Sequence, residues 1–587
     1  LVKFMIKVSD LIIRILSKHT SHIFGGQGGS VLHMVDSIYK NKKIKFIPGQ
    51  SEQGSSLAAD AFYRSSGKLG VVLGTSGPGI INFIQGIACS YYDSIPALYL
   101  AGAPIVSDLR KNIKIRQIGF QEMEVQKLLK PLTKGIWLIK KKEEVESVFN
   151  KAISLSLSGR MGPVVIEIPD DIQRSFIKLK KIKNNFEKLK KNKNYQYPID
   201  SKITQAVKLI NKSRKPIIIA GHGIKLSKST KLLEKFAKKN NIPYLYTWSS
   251  ADQFNFNSRL NAGSFGVAAT RGGNFSIQNS DLVIALGARF SPSLVGGNPK
   301  LFAPKAKKII VDIDNHEFSN HRLPSVNLKI HSDVSLFLTK IFHNKIIKKE
   351  ESWIDRVNFF KKKYPVFQKS KNLSQKYLDP YYFFDTLSHL IKKNSILIPD
   401  ASANLIWAMQ AFKVIKKVKI FTAFNHSPMG YSIAASIGAF LGAKKSTIIA
   451  TIGDGSVPMN VQELETIKNY KIDVKIFVFN NKGYSLIKQT QETWLKGKYS
   501  GVDKSSGLSL PDNLRVAKAY GIKTMSIMNN QNLEKNISKA LKIKGPVLID
   551  LNINPLSRVE PKIEYGRPLH DMSPALPKKE IIKNMKN

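Results

Sequence analysis

Cysteine is almost absent from this sequence. One cysteine, Cys89, occurs in 587 residues, which excludes a disulfide framework and zinc sites built from clustered thiolates. Cys89 lies inside an apolar run with helical periodicity, where a cysteine is typical of a protein core. Such sparse use of cysteine fits a reducing compartment, so we expect a cytoplasmic protein.

Long hydrophobic runs are lacking as well. The longest, GYSIAASIGAFLGA (430–443), is too short to cross a bilayer and is followed by two lysines. The leading stretch LVKFMIKVSDLIIRILSK is interrupted by Lys and Arg, and no small-residue cleavage site follows it. We therefore expect a soluble protein without a membrane partner.

Acidic residues are scarce relative to basic ones. The chain has 92 Lys and Arg against 42 Asp and Glu, a formal net charge of +50. The lysines are scattered, and no zinc-finger spacing, aromatic RNA-binding motif or basic heptad region accompanies them. We interpret the excess as a solvated surface that favours anionic small molecules, in preference to a nucleic-acid partner.

Short apolar runs alternate with helical segments along three stretches of the chain. They include KFIP and PALYLAG in the first stretch, IIIAGHG and KIIVDID in the second, and STIIATIGDGS and VKIFVFNN in the third. This alternation predicts an α/β fold of three consecutive doubly wound parallel-sheet domains. We place the domains at residues 5–180, 200–345 and 376–560, with a lysine-rich linker at 178–200 and a tail at 561–587.

Two neighbouring strands of the third stretch end in polar residues. One strand is followed by GDGS (453–456) and the next strand by NNKG (480–483). Because the carboxyl ends of parallel strands meet at one edge of a sheet, the Asp454 carboxylate, the Asn481 amide oxygen and a turn carbonyl can converge. Oxygen ligands of low net charge are those that Mg²⁺ prefers, and the glycines with a following helix start admit a diphosphate.

A carboxylate stands at a strand–helix junction of the first stretch, in SEQGSSLAAD (51–60). Glu52 follows a strand-like run, on the kind of loop where ligands bind in parallel α/β sheets. Taken alone, Glu52 is typical of a first-turn carboxylate favoured by the helix dipole.

These motifs together resemble those of a known family. GDG followed one strand–helix–strand later by NN resembles the thiamin diphosphate (ThDP) motif, and residues from about 8 to 560 are similar to the acetolactate synthase branch of the ThDP enzymes. The resemblance implies a pyrimidine-binding domain, a central Rossmann-like domain and a diphosphate-binding domain, in that order. It also implies Mg²⁺ on Asp454, Asn481 and Gly483, and ThDP contacts at Gly453, Asp454, Gly455, Ser456, Asn481 and Gly483.

The resemblance gives Glu52 a catalytic role. SEQG (51–54) is similar to the family's H-E-Q-G, whose glutamate hydrogen-bonds the pyrimidine N1′ of ThDP and favours the imino tautomer that deprotonates C2. The same comparison implies that a backbone amide at Gly29 faces the reacting carbonyl and that Gln121 lines the active site. Further positions that the resemblance assigns to ThDP are Gly28, Asn82, Asn404 and Met429. In the family the methionine props the cofactor into a V shape, whereas Met429 taken alone is typical of core filling.

In these enzymes the glutamate of one subunit meets the GDG domain of another. The resemblance therefore implies a homodimer or homotetramer with active sites at the subunit interface, and it leaves the presence of a regulatory subunit open.

Several positions depart from the family pattern. Ser51 replaces its histidine, Gln27 a proline, and SANL (402–405) its G-Q-H-Q, which leaves Asn404 as a donor for the diphosphate. Thr490, in IKQTQE, replaces the tryptophan that shapes the acceptor pocket, so we expect a wider or more polar pocket. The tail GRPLHDMSPALPKKE (566–580) is unlike the family's end.

The family's middle domain holds FAD as a structural relic. Matching positions here are Arg160, Gly221, Gly223, Arg289 and Glu317. Other FAD-loop positions differ, since SPS (291–293) replaces D-D-R and SFGVAA (264–269) replaces a methionine–histidine loop. At this stage both an FAD site and a Rossmann-like spacer that has lost its nucleotide stay open.

The implied activity is decarboxylation of a 2-oxo acid, pyruvate in the simplest case, with ThDP and Mg²⁺. The acyl carbanion equivalent is then transferred to an acceptor carbonyl, and pyruvate as acceptor gives acetolactate for branched-chain amino acid biosynthesis. Two alternatives stay open: the same chemistry on another acceptor such as a keto-sugar nucleotide, and a catalytically inactive or nucleic-acid-binding relative. The intact Glu52 and the GDG and NN pair argue against the second alternative.

Overall fold

The computed structural model describes residues 5–110, 114–178, 199–322, 325–368 and 374–586. The predicted linker at 178–200 lies almost entirely outside these residues. In the part of the chain that is described, three six-stranded sheets form, and all neighbouring strands within each are parallel.

The first domain contains a sheet with the strand order β3-β2-β4-β5-β7-β6, and the flanking strands β1 and β8 pair antiparallel. The strands are β1 (Met5–Lys7), β2 (His22–Gly25), β3 (Lys45–Pro48), β4 (Gly70–Gly74), β5 (Ala97–Ala103), β6 (Gly135–Leu138), β7 (Pro163–Pro169) and β8 (Phe176–Lys178). The helices are α1 (Val8–Leu16), α2 (Leu32–Lys40), α3 (Glu52–Ser66), α4 (Pro78–Asn82), α5 (Ile84–Tyr92), α6 (Val125–Leu129), α7 (Val145–Ser156) and α8 (Asp170–Arg174). Strands β5 and β7 are buried along their whole length, as their continuous apolar sequences predict for a sheet covered on both faces.

The central domain has the strand order β11-β10-β9-β12-β13-β14. Its strands are β9 (Pro216–Ala220), β10 (Tyr244–Tyr246), β11 (Asn261–Ser264), β12 (Leu282–Leu286), β13 (Lys307–Asp312) and β14 (Leu328–His331). Its helices are α9 (Asp200–Lys212), α10 (His222–Leu226), α11 (Thr230–Asn240), α12 (Arg271–Gln278), α13 (Pro292–Val295) and α14 (Val334–Phe342), and α15 (Glu351–Lys363) follows the sheet.

The third domain has the strand order β16-β15-β17-β18-β20-β19. Its strands are β15 (Ile396–Pro399), β16 (Lys419–Ile420), β17 (Ile448–Gly453), β18 (Val474–Asn480), β19 (Lys523–Ile527) and β20 (Val547–Asn552). Its helices are α16 (Pro380–Leu390), α17 (Ser402–Ala411), α18 (Tyr431–Gly442), α19 (Glu463–Asn469), α20 (Ser485–Trp494), α21 (Asn513–Ala519) and α22 (Leu533–Lys542). Strands β17 and β18 are direct neighbours, so the two polar turns that follow them share one edge of the sheet.

The first and third domains share a hydrophobic core. Helix α3 packs on α18, and Phe62 and Ile437 belong to the same buried cluster. The approach is close because Gly438 carries no side chain: a Cβ there would lie 1.7 Å from the carbonyl oxygen of Ala58. The start of α3, where Glu52 lies, is therefore held against the domain that carries the GDG turn.

The tail docks on the central domain. It forms an antiparallel pair of β21 (Lys562–Ile563) and β22 (Met572–Ser573) and a final helix α23 (Lys578–Met585). Leu569 and Met572 are buried in the same cluster as Phe265 of the central domain. The tail is thus part of the folded molecule.

The three sheets confirm the predicted α/β fold of three consecutive doubly wound domains. The sheets fall inside the ranges placed from the sequence, and the domain boundaries themselves stay predictions, as does the cytoplasmic location. None of the helices within the described ranges is long and apolar enough to cross a membrane.

Candidate active site

Asp454 lies at the carboxyl end of β17, in the turn that faces the end of β18. Its side chain is buried, with Oδ1 accepting from the Gly455 N–H at 2.8 Å and Oδ2 from the Gly483 N–H at 3.1 Å. Burial raises the pKa of Asp454 to about 6, and these backbone donors oppose the shift. The sequence placed Asp454 and Gly483 at one edge, and the structure brings them into contact.

The Asn481 side chain lies against both Asp454 and Gly483. In the orientation that satisfies its hydrogen bonds, the Asn481 amide nitrogen donates to Asp454 Oδ1 at 3.3 Å and to the Gly483 carbonyl at 2.7 Å. With the amide turned over, the Asn481 oxygen would face Asp454 Oδ1 and the Gly483 carbonyl oxygen, and carboxylate, amide and carbonyl oxygens are the donors that Mg²⁺ prefers. Within the described ranges no cluster of three or more His, Cys, Asp or Glu side chains could hold a metal.

The glycines of the two turns differ in the space around them. A Cβ on Gly453 would find its nearest neighbour, Ser456 Oγ, only at 4.0 Å, so open space lies beside this residue. Gly455 and Gly483 are packed tightly, because a Cβ would lie 2.2 Å from the Tyr484 ring and 2.1 Å from the Val502 carbonyl respectively. Gly483 also has a φ of +151°, which favours glycine. The space at Gly453 suits diphosphate oxygens.

Asn404 and Met429, two predicted cofactor contacts of the third domain, differ in their surroundings. Asn404 is buried, its amide donates to the Thr451 carbonyl at 2.7 Å, and its Oδ1 has no hydrogen-bond partner within the described residues. The Asn404 amide, which we predicted as a donor to the diphosphate, therefore donates to β17 in this structure. Met429 is half-buried at the start of α18, directly before Gly430, whose N–H donates to the buried Asp400 at 3.0 Å.

Glu52 is the first residue of α3 and is half-buried. Its Oε2 accepts a hydrogen bond from Asn82 Nδ2 at 3.1 Å. A Cβ on Gly26 would lie 2.8 Å from Glu52 Oε1, so the absence of a side chain at Gly26 gives this carboxylate its space. The structure thus joins two predicted residues, Glu52 and Asn82, at the carboxyl end of the first sheet, together with Gly26, which sequence reasoning missed.

The remaining predicted residues of the first domain lie on neighbouring loops. A Cβ on Gly29 would meet no heavy atom within 4 Å, whereas one on Gly28 would lie 2.5 Å from Thr75. Gln121 has a φ of +58°, and its carbonyl oxygen lies 2.6 Å from the position of a Cβ on Gly77, so its loop packs on the turn before α4. Open backbone at Gly29 is what a reacting group requires.

Exposed apolar side chains lie on the loop of Gln121 and on α4. Phe120, next to Gln121, is 84% exposed, and Ile118 and Ile81 are also exposed. The hydrogen-bond partner of Glu52 belongs to the first domain and those of Asp454 to the third.

A second site is a cavity of about 1230 Å³ between the three domains. Its lining includes Arg160, Gly223, Arg289 and Glu317, four of the five residues predicted for FAD. The fifth, Gly221, packs on Gly287, since a Cβ would lie 2.1 Å from its carbonyl oxygen. The volume exceeds the range of about 300–1,000 Å³ typical of drug-sized ligands, so a dinucleotide fits.

The two arginines of the cavity have protein partners. Arg160 Nη1 pairs with Asp314 at 2.9 Å and with Glu317 at 2.7 Å, and Arg289 donates to the side chain of Asn425 in the third domain. Burial raises the pKa of Asp312, another lining residue, to about 6. The cavity therefore offers both cationic and acidic groups on its walls.

Thr490 lies exposed on α20, and its hydroxyl donates to the Leu486 carbonyl of the same helix at 2.9 Å. One turn later, Trp494 is 62% exposed and contacts Tyr565 of the tail edge-on, with ring centroids 6.0 Å apart. This helix thus brings Trp494 against Tyr565 of the tail, one turn beyond the position where the family has its tryptophan.

Comparison with known proteins agrees with this arrangement. Three family models match in order along the chain: the N-terminal TPP binding domain of thiamine pyrophosphate enzymes at 6–128, the central domain at 203–341, and the C-terminal TPP binding domain at 400–551. Thiamine pyrophosphate (TPP) is another name for ThDP.

Curated relatives match over nearly the whole chain. The acetolactate synthase large subunit of Porphyra purpurea is 30% identical over 93% of this chain and 91% of that protein. The acetolactate synthase large subunit of Buchnera aphidicola subsp. Schizaphis graminum is 31% identical over 98% and 99%, and the probable acetolactate synthase large subunit of Methanocaldococcus jannaschii is 31% identical over 94% and 92%. Since the similarity runs through all three domains, the chain belongs to the thiamine pyrophosphate enzymes and, within them, to the acetolactate synthase large-subunit family.

Proposed function

We propose that this ThDP-dependent, acetolactate synthase-like enzyme decarboxylates pyruvate and joins the resulting two-carbon unit to the carbonyl of a second 2-oxo acid. With pyruvate as acceptor the product is acetolactate. The observation that carries the proposal is the edge at which the Asp454 carboxylate, the Asn481 amide and the Gly483 turn lie together beside the open backbone at Gly453, since such oxygens would suit Mg²⁺. Glu52, held by Asn82, supplies the acid–base group.

The residues divide the work between them. ThDP, when bound, would supply the carbon acid and the electron sink that decarboxylation of a 2-oxo acid needs. Asp454, Asn481 and the Gly483 carbonyl would hold Mg²⁺, which neutralises the diphosphate. Glu52 would hold and release a proton at the pyrimidine N1′, with Asn82 fixing one carboxylate oxygen and leaving the other free. The Gly29 N–H would donate to the reacting carbonyl.

The direct test is product identification. The purified protein is incubated with ThDP, Mg²⁺ and ¹³C-labelled pyruvate, with and without 2-oxobutyrate, and the products are read by NMR. We expect CO₂ and acetolactate, and neither in the presence of EDTA. Unchanged pyruvate with ThDP bound would contradict the proposal, and CO₂ release without acetolactate would move the acceptor to a larger carbonyl compound such as a keto-sugar nucleotide.

We also propose that the active form is a homodimer, or a dimer of such dimers, in which Glu52 of one subunit faces the Asp454 edge of another. The exposed side chains of Phe120, Ile118 and Ile81 support this proposal. Large apolar side chains that cluster on a surface are typical of an interaction site.

Mixed dimers test the shared site. Chains carrying Glu52→Gln and chains carrying Asp454→Ala are co-expressed with different tags, and the mixed dimer is purified. A shared site gives one intact and one doubly defective centre, so we expect about half the wild-type activity, while each variant alone is inactive. An inactive mixed dimer would mean that each site lies within a single chain.

For the cavity we propose FAD as the bound dinucleotide, in contact with Arg160, Arg289 and Glu317. The reaction is redox-neutral, so the flavin would serve as a structural group. Titration with FAD, followed by quenching of flavin fluorescence, should show saturable binding that Arg289→Ala weakens and the exposed control Arg214→Ala does not. Unquenched flavin would show that the cavity has lost its nucleotide.

A further inference from the structure

Glu463 of the third domain is fully buried yet bonds to the first domain. It is the first residue of α19, and its side chain is 0% exposed. Oε1 accepts from the Ser51 N–H and from the Ser51 hydroxyl, both at 3.0 Å. Oε2 accepts from the Gln50 N–H at 3.3 Å and from the Thr466 hydroxyl at 2.8 Å. Three of these four donors belong to the segment directly before Glu52.

The three donors on Gln50 and Ser51 lie at the N-terminus of α3. Ser51 is the N-cap residue, and its hydroxyl also accepts from the Gly54 N–H at 3.0 Å. A carboxylate at this end of a helix is favoured by the helix dipole and by the free backbone N–H groups. The sum of these contacts compensates Glu463 for its removal from water.

Glycines make the space for this carboxylate. A Cβ on Gly54 would lie 2.2 Å from Glu463 Oε1, and one on Gly49 would lie 3.3 Å from Oε2. Glu463 is therefore built into the junction, with contacts on both sides of Glu52 in the chain. Because a side chain can aim only as well as its backbone is fixed, these contacts bear on the direction of the Glu52 carboxylate.

We propose that Glu463 is a positioning residue for catalysis: it fixes the backbone around Glu52 and so aims the Glu52 carboxylate at the cofactor. The inference rests on the proposed role of Glu52. It also links two active sites, because Glu463 follows the metal residue Asp454 by nine positions. In the proposed dimer, each chain's metal-binding domain would orient the carboxylate that serves the neighbouring site.

The test compares Glu463→Gln with Glu465→Gln. Glu465 lies on the same helix but is partly exposed, with Lys468 as an ion-pair partner at 4.0 Å, so it is a matched control. In Glu463→Gln an amide NH₂ replaces one acceptor and faces a backbone N–H. At saturating ThDP we expect C2-proton exchange of the bound cofactor and kcat to fall on the order of 10- to 100-fold, with the ThDP Kd within about threefold of wild type.

A second variant keeps the proposal testable if Glu463→Gln folds poorly. Ser51→Ala removes the hydroxyl that bonds Glu463 and caps α3 but keeps the carboxylate and its backbone donors, and we expect a smaller fall in exchange in the same direction. Thermal unfolding is measured for all variants, so that an effect on the orientation of the Glu52 carboxylate can be distinguished from an effect on stability.

The outcomes distinguish the two levels of the account. Exchange in Glu463→Gln equal to that in Glu465→Gln would overturn the positioning role while leaving the proposed function intact. A loss that only follows the loss of folded protein or of bound ThDP would also overturn it. A wild-type protein that binds ThDP without exchange would remove the proposed function itself.

Discussion

Asp454 contributes a single buried carboxylate to an edge whose other oxygens are an amide and a carbonyl. An octahedral ion held by such a set depends on this charge, since the neutral oxygens alone bind Mg²⁺ weakly. We predict that Asp454→Ala removes Mg²⁺-dependent retention of ThDP. In calorimetric titrations the ThDP affinity of the variant should be the same with Mg²⁺ as with EDTA.

A matched control for this prediction is Asp355→Ala, because Asp355 is exposed on α15 and pairs with Arg259 at 2.7 Å. It should bind ThDP as the wild type does. Wild-type-like, Mg²⁺-dependent affinity in Asp454→Ala would contradict the assignment of the metal edge.

We expect Thr490 to take the place of the tryptophan that forms an apolar wall of the acceptor pocket in the family, a wall that would distinguish an ethyl from a methyl ketone. One methylene in a hydrophobic pocket is worth about 1–3 kcal/mol, and most of this is lost without the wall. We predict little preference for 2-oxobutyrate over pyruvate as acceptor, and a higher preference in Thr490→Trp. The measurement is the ratio of acetohydroxybutyrate to acetolactate when both oxo acids compete.

The control for Thr490→Trp is Thr493→Trp, which adds the same ring to the same helix at an exposed threonine bonded to the Gln489 carbonyl at 3.0 Å. It should leave the ratio unchanged. A strong 2-oxobutyrate preference in the wild type would mean that other groups, such as Trp494 and Tyr565, build the wall.

At the level of elements, α3 is fastened to the third domain by a buried charge network. Arg64 of α3 pairs with Asp60 at 2.7 Å and with Asp93 at 2.9 Å. Burial alone would lower the pKa of Arg64, but the carboxylates of Asp60 and Asp93 hold it above its usual value. Asp93 also accepts from the backbone N–H groups of Phe424 and Asn425, at 2.9 and 3.1 Å, on the loop that leads to Met429.

Removal of Asp93 should leave Arg64 and two backbone donors without this acceptor. We predict that Asp93→Ala lowers the free energy of unfolding by about 3–5 kcal/mol, because one of the two buried ion pairs of Arg64 is broken and the N–H groups of Phe424 and Asn425 lose their acceptor. Urea unfolding of the first transition measures the change, with the exposed Asp108→Ala as control. A loss below about 1 kcal/mol would show that the network contributes little to the docking of α3.

At the level of the whole molecule, those features could be predicted from the sequence that depend on local residue patterns and on the order of the strands. Alternating strands and helices predicted three parallel sheets, and consecutive strands predicted that Asp454 and Asn481 share one edge. Contacts between domains left no such signal. Glu463 and Ser51 are 412 residues apart and meet only because α3 packs on α18, and Asn404 turns its donor to Thr451 because β17 offers a carbonyl there. The packing of the tail on the central domain likewise could not be predicted from a periodic pattern.

The account depends on one chemical event, removal of the C2 proton of bound ThDP through Glu52. Glu52→Gln is nearly isosteric and keeps an acceptor for Asn82, so the variant should fold and bind ThDP. The decisive measurement is the rate of hydrogen–deuterium exchange at C2 of the bound cofactor, followed by NMR, in wild type and Glu52→Gln. We predict rapid exchange in the wild type and a rate near that of free ThDP in the variant. Equal exchange in both would show that Glu52 is only a first-turn carboxylate of α3, and would contradict the central claim.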